Sequence, residues 1–182
     1  LGGIVVLTDL HPLANQGHFV LSMILVANAL ILHQRAKNDH KPAHPSTLSG
    51  LQKLVRLTVV MGSVALITGT VVTGSGPHAG DTNDIVRLGF EFRNITTIHA
   101  ALVWLYLGLT AGLLVALLAT AAPKHVTKQA WIVVGVCIAQ GFVGYTQFFT
   151  GLPWGLVAVH VLGACLLWIF TVRFYLARNT RG

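Results

Sequence analysis

Charge is the first thing this chain lacks. Of its 182 residues, 12 are Lys or Arg and 5 are Asp or Glu, so 9% are charged. An ordinary soluble domain carries about 25%. The shortage excludes a water-facing surface over most of the chain. With 54% hydrophobic residues and a mean hydropathy of +0.71, the core is expected between helices and lipid. Cysteine is as scarce. Cys137 and Cys165 stand singly in apolar runs without C-x-x-C spacing, which excludes a thiolate metal site and leaves two small core residues. The few acids leave a net charge of +7. A basic balance can mark a nucleic-acid binder. Here the placement of the charges accounts for it, and no nucleic acid is expected.

What is present is a series of apolar runs. Residues 13–32, 54–74, 95–119, 130–150 and 153–176 are each about long enough to cross hydrocarbon. The opening LGGIVVLT gives only eight residues before Asp9, too few to span, and it has no basic start or cleavage site of a signal peptide. It reads as the end of a helix that begins before Leu1, so the chain is expected to be a piece of a longer protein. The fold class is all-α. It is a polytopic membrane helix bundle of five full transmembrane helices plus a partial N-terminal one.

Lys and Arg placement sets the orientation. Arg35, Lys37, Lys41, Lys53, Arg56, Lys124, Lys128, Arg173, Arg178 and Arg181 fall on one side if every span crosses. Only Arg87 and Arg93 fall on the other, beside Asp81, Asp84 and Glu91. The basic side is expected to be cytoplasmic, with loop 75–94 outside a cell membrane. That loop contains GSGPHAG and is long enough to act as a lid. The 33–53 segment, with Pro42 and Pro45, reads as a connector, and its His33, His40 and His44 as solvated loop residues. Gly108 and Gly112 form a G-x-x-x-G, and Gly141 and Gly144 lie one turn apart. Both are expected where helices cross closely.

Three histidines sit at matching depth in apolar helices. His18, His99 and His160 lie five, four and seven residues inside the outer ends of their spans, or roughly 6–10 Å deep. Imidazole in a bilayer is costly unless it has a task. His160 has the small residues Gly163 and Ala164 on its own face. His18 has Ala14 and Ser22, and His99 has Thr96. Such positions suit axial ligands to a flat metallocofactor such as haem. Two of the three lie in a repeat. At an offset of 142, Gly2, Thr8, Leu10, His18 and Leu25 fall on Gly144, Thr150, Leu152, His160 and Leu167. Both copies run helix end, Pro-containing turn, helix start, histidine, in the same sense. The expectation is a 4+4 parallel repeat about the membrane normal. Residues 1–32 would end the N-terminal half, 33–53 would link, 54–176 would form the C-terminal four-helix half, and 177–182 would be a cytoplasmic tail.

The stretches LGGIVVLTDLHPL with His18 and Phe19, TGTVVTGSGPHAGD, TTIHAALVWLYLGL and AQGFVGYTQFFTGLPWGLVAVHVLGA carry a resemblance. Along essentially its whole length the chain resembles haem A synthases, from the end of the third helix to the eighth. The resemblance implies a haem-dependent membrane oxidoreductase that serves terminal oxidase assembly. It would oxidise the C8 methyl of haem O, delivered by a farnesyltransferase, to the formyl of haem A, with water as the oxygen source. His99 and His160 match the family's axial ligands to a haem b cofactor, and His18 matches a ligand to the substrate haem. The carboxylate implicated in catalysis would precede Leu1, so no catalytic residue is assigned, and this chain alone is expected to be inactive. Some relatives carry a cysteine pair in the outer loop; loop 75–94 has none. Arg87 and Arg93 either meet haem propionates or balance the nearby acids, and His78 either gates or is a plain loop histidine. The electron acceptor is unspecified, and a homo-oligomer is compatible with the sequence. The main alternative is a di-haem b-type cytochrome that only transfers electrons. A transporter would place polar residues at mid-membrane, and a purely structural oxidase-assembly subunit would bind no haem.

Overall fold

The structure is a computed structural model that describes residues 2–37, 44–45, 49–79, 86–177 and 179–180. Leu1, His40, Lys41, Pro42, Asp81, Asp84, Arg178 and Arg181 lie outside the described residues. A short helix α1 (Gly2–Leu7) precedes five long ones: α2 (Pro12–Lys37), α3 (Ser49–Ser75), α4 (Phe92–Ala119), α5 (Lys124–Phe149) and α6 (Trp154–Ala177). All five are long and apolar enough to span. The protein is a multi-pass membrane protein. Helices predominate because lipid offers no partner for backbone N–H and C=O groups.

The helices outrun the apolar runs. α2 continues five residues past 32 to Lys37, α3 begins at Ser49 and α5 at Lys124. Hydropathy marks only the hydrocarbon stretch, whereas the backbone ladder continues through the headgroup region. The 33–53 connector is therefore shorter than expected. His33 lies on an exposed turn of α2 and not in a loop. His44 and Pro45 form strand β1, which pairs antiparallel with β2 (Asn179–Thr180). The sequence carries no signal for that pairing.

α3, α4, α5 and α6 pack in a closed cycle, each against the next and α6 back against α3. α4 and α6 are thus diagonal. α2 lies in the groove between α3 and α6, and α1 leans on α2. Two side chains fasten α2. The Trp168 indole N–H donates to the Met23 carbonyl at 2.9 Å, and the Gln16 amide donates to the Thr70 carbonyl at 2.9 Å. We call the Lys/Arg-rich end of the cycle inner and the opposite end outer.

Packing is uneven along the cycle. The core cluster of Val55, Leu113, Leu117, Val126, Val133 and Phe174 sits at the inner end, with Cys137 in it and Cys165 half-buried on α6. Toward the outer end, no residue of 92–105, 138–149 or 154–162 is fully buried. A polar clamp divides the two zones. Tyr106 of α4 and Thr171 of α6, both about 1% exposed, meet across the diagonal at 2.6 Å. Thr171 donates its own proton to the Leu167 carbonyl at 2.7 Å, so the Tyr106 hydroxyl is the donor. Gly62 on α3 admits the ring, since a Cβ there would stand 3.2 Å from Tyr106 Cε2.

Glycine placement differs from expectation. A Cβ on Gly108, Gly112 or Gly141 would meet nothing within 4 Å. Gly108 and Gly112 are exposed on the outside of the cycle, so the G-x-x-x-G marks no crossing within this chain. The close approaches fall at Gly62, Gly69, Gly74, Gly76, Gly144 and Gly163. Tyr106→Phe should cost about 1 kcal/mol, the typical net value of one hydrogen bond. Unfolding of the detergent-solubilised protein should show it as a lowered Tm, and an unchanged Tm would remove the clamp from the account.

Candidate functional site

Each of the three membrane histidines sits six or seven residues into its helix: Pro12 to His18, Phe92 to His99, Trp154 to His160. At 1.5 Å per residue this is roughly 9–10 Å along the axis. Each imidazole also rests on a glycine of the preceding helix. A Cβ built on Gly69 would lie 3.1 Å from His99 Cε1, one on Gly144 would lie 3.2 Å from His160 Cε1, and one on Gly2 would lie 3.7 Å from His18 Cε1. A methyl would crowd the first two rings. Glycine is what lets the ring approach the helix backbone this closely at Gly69 and Gly144.

The repeat read from the sequence extends to individual hydrogen bonds. Thr8 N–H donates to Ile4 O and Leu10 N–H to Val5 O, while Thr150 N–H donates to Thr146 O and Leu152 N–H to Gln147 O. The Thr8 hydroxyl bonds the Ile4 carbonyl at 2.8 Å, and the Thr150 hydroxyl bonds the Thr146 carbonyl at 2.7 Å. Each helix ends with two successive left-handed residues: Asp9 (φ 49) and Leu10 (φ 57) in one copy, Gly151 (φ 80) and Leu152 (φ 59) in the other. Such a left-handed cap closes a helix by turning spare carbonyls onto later N–H groups. It reverses the chain so tightly that the next helix returns beside the first, with its histidine level with the glycine.

His99 and His160 belong to the four-helix cycle, and their imidazoles lie within electrostatic range of each other. His18 is exposed on α2, outside that cycle, and the structure does not bring it to the other two. His99 Nδ1 is 3.2 Å from Thr68 Oγ1. Thr68 Oγ1 is 3.0 Å from the carbonyls of both Val64 and Ala65, which take its single proton. Its oxygen then accepts from Nδ1–H of His99, and Nε2 carries the lone pair. His160 Nδ1 is buried and has no hydrogen-bond partner. An unpartnered buried nitrogen is costly.

The floor of this space is the Tyr106–Thr171 clamp. Tyr106 is seven residues below His99 on α4, and Thr171 is eleven below His160 on α6, spacings that return to one helix face. Over the top, the His78 imidazole Nε2 meets the Leu152 carbonyl at 2.8 Å. Leu88 N–H donates to Gly74 O at 2.9 Å. His78 thus ties the outer loop to the α5–α6 turn. Arg87 and Arg93 are exposed in and just after that loop.

Sequence reading missed two residues. Gln140 and Gln147 lie four before and three after Gly144, on its face of α5. The side-chain oxygen of each is buried without a partner. Gln140 also fills the space a Cβ on Gly163 would need. The small patch beside His160 is therefore occupied by an amide and is not an open slot. The i, i+4, i+7 pattern of Gln140, Gly144 and Gln147 was the available signal.

Among the described residues, no three His, Cys, Asp or Glu converge as a bare metal ion would need. The donor set is a pair of imidazoles. Gly108→Ala should stabilise the protein by about 0.5–1 kcal/mol, the ordinary gain from replacing a helical glycine. Gly69→Ala and Gly144→Ala should lose that gain, because the imidazole must shift by a few tenths of an ångström. Chemical unfolding in detergent separates them, and equal stabilisation by all three would dismiss the glycine seats. No protein family, curated protein or solved structure matches the chain, so its reading rests on these residues.

Proposed function

We propose that the chain is the haem-holding part of a haem A synthase-type membrane oxidoreductase, with His99 and His160 as the axial ligands of a haem b. One observation carries the reading. Two imidazoles, each seated on a glycine, sit at the outer end of the cycle, where α4, α5 and α6 carry no fully buried residue over 92–105, 138–149 and 154–162. Two protein donors suit a cofactor that brings its own equatorial nitrogens. Orphaned His160 Nδ1 and the amide oxygens of Gln140 and Gln147 fit a site whose polar partners arrive with a ligand.

Bound there, the haem supplies one-electron transfer at its iron. The chain's own residues hold and shield. Thr68 fixes the His99 ring through Nδ1, Gly69 and Gly144 leave room for the two rings to approach α3 and α5, and Tyr106 with Thr171 closes the floor against the inner core. His78 and Leu152 hold the loop across the top. Arg87 and Arg93, exposed on the outer side, would meet propionates through bidentate pairs.

His18 has a separate task in this reading. His18 would serve the half that takes haem O in a 4+4 parallel repeat; the glycine seat common to the α1–α2 and α5–α6 hairpins is what favours that arrangement, since their turn hydrogen bonds recur at α4–α5. Oxidation of the C8 methyl to a formyl group would occur there, a four-electron change that takes its oxygen from water and passes four electrons to an external membrane electron acceptor.

His99→Ala and His160→Ala should each abolish the b-type absorption spectrum while leaving a folded, inserted bundle. His18→Ala in the full-length protein should keep that spectrum and lose haem A formation, with haem A and haem b separated by pyridine-haemochrome analysis. A wild-type b-type spectrum in both His99→Ala and His160→Ala would overturn the ligand assignment. A protein that holds haem b but never forms haem A would be an electron-transfer cytochrome instead.

A further inference from the structure

At the inner end, α4 and α5 part to form an open cleft of about 540 Å³. Leu117, Leu118, Trp131 and Ile132 line its apolar wall, and Lys124 and Lys128 stand at its mouth. The lysines are four residues apart on α5, so both ammonium groups rise from one helix face. Trp131 follows seven residues after Lys124 on that face, and its ring is 56% exposed. Such an order, cations then an amphipathic ring then aliphatic side chains, follows the polarity gradient from headgroup to acyl chain.

The chain does little to neutralise these cations itself. Among the described residues, Arg35, Lys37, Lys53, Arg56, Lys124, Lys128 and Arg173 lie at the inner end and no Asp or Glu does. α5 also starts at this point with Pro123 in the capping position and no side-chain cap, so its first N–H groups add to the positive field.

We propose that this cleft binds an anionic glycerophospholipid. Its phosphate would lie between Lys124 and Lys128, and one acyl chain would run along Leu118, Trp131 and Ile132. A zwitterionic lipid fits the wall but brings its own cation to the lysines. Inorganic phosphate matches the lysines but leaves the wall uncovered. The site lies at the opposite end of the bundle from the histidines and is independent of any haem.

The test is lipid retention by the full protein in detergent, read by native mass spectrometry against equimolar phosphatidylglycerol and phosphatidylcholine. The wild type should retain phosphatidylglycerol with roughly tenfold preference, the scale expected for two lysines near an anionic headgroup. Lys124→Gln with Lys128→Gln should remove the preference, while Lys53→Gln with Arg56→Gln, an equal charge change at the same end, should keep it. Inorganic phosphate at the same concentration should not displace the lipid. Equal loss in both double variants would reduce the effect to general surface charge and overturn the site, as would no preference in the wild type. Should the Lys124/Lys128 variant fail to fold, brominated phosphatidylglycerol decides. It should quench wild-type tryptophan fluorescence more than brominated phosphatidylcholine does, and Trp131→Phe should abolish that difference. A difference that survives Trp131→Phe would place the lipid elsewhere.

Discussion

Hydrocarbon offers a side chain no hydrogen-bond partner, so an imidazole placed there must be seated and satisfied by the protein or by what the protein binds. The glycine seats follow from this constraint. His99 and His160 each lie against a backbone that carries no Cβ, which brings the ring into the cycle and away from lipid. Thr68 then satisfies one nitrogen of His99, while His160 Nδ1 remains without a partner. The asymmetry separates two nearby rings. One is tied to the scaffold by a hydrogen bond, and the other has no hydrogen bond at Nδ1 among the described residues.

The contrast between the two ends of the cycle has the same origin. Side-chain packing, rather than water exclusion, holds membrane helices together, so a loosely filled outer end has to be offset by tight packing elsewhere. The inner end supplies it with Val55, Leu117, Val126, Val133 and Phe174, each fully buried. The Tyr106–Thr171 bond marks where that packing stops, and it spans the diagonal that the four neighbouring contacts leave unbridged. α2 adds its own ties through Trp168 and Gln16, both to backbone carbonyls. A carbonyl already in a helix ladder retains a second lone pair, so these ties cost the helices nothing in satisfaction.

Much of this was legible in the sequence, because hydrophobicity, charge and histidine depth are one-dimensional quantities. The five spans follow from apolar run length, and the inner end follows from the Lys and Arg positions. The helix extents were less legible, because Arg35, Lys37, Ser49 and Lys124 are polar residues that a helix accommodates at a headgroup interface as readily as a loop does. Of the glycines expected at close crossings, Gly144 is one, whereas Gly108, Gly112 and Gly141 are not. A G-x-x-x-G spacing fixes which residues share a face, but not which way that face points, and Gly108 and Gly112 point out of the cycle. Gln140 and Gln147 were passed over for a related reason. A glutamine in an apolar helix is conspicuous only when its amide is known to be buried and unpartnered.

The duplicated turn shows which part of the sequence signal is geometric and which is chemical. Asp9 and Gly151 occupy the same left-handed position, yet they share no side-chain chemistry. Glycine adopts that conformation freely, and aspartate tolerates it better than most residues. The next residue is leucine in both copies, also left-handed, where a bulky side chain is disfavoured. Both copies keep that strain and the i to i−5 hydrogen bond made by Leu10 and Leu152. A strained turn persists only where the surroundings over-determine it. The surroundings common to the two hairpins are the glycine two residues into the first copy and its counterpart at 144, each facing a histidine sixteen residues on. The same pattern closes α4, where Thr120 N–H donates to Ala116 O, Ala122 N–H donates to Leu117 O and Ala121 is left-handed (φ 49), so the turn is this bundle's general device for a tight helix reversal, and the identity of the residue that makes it is secondary.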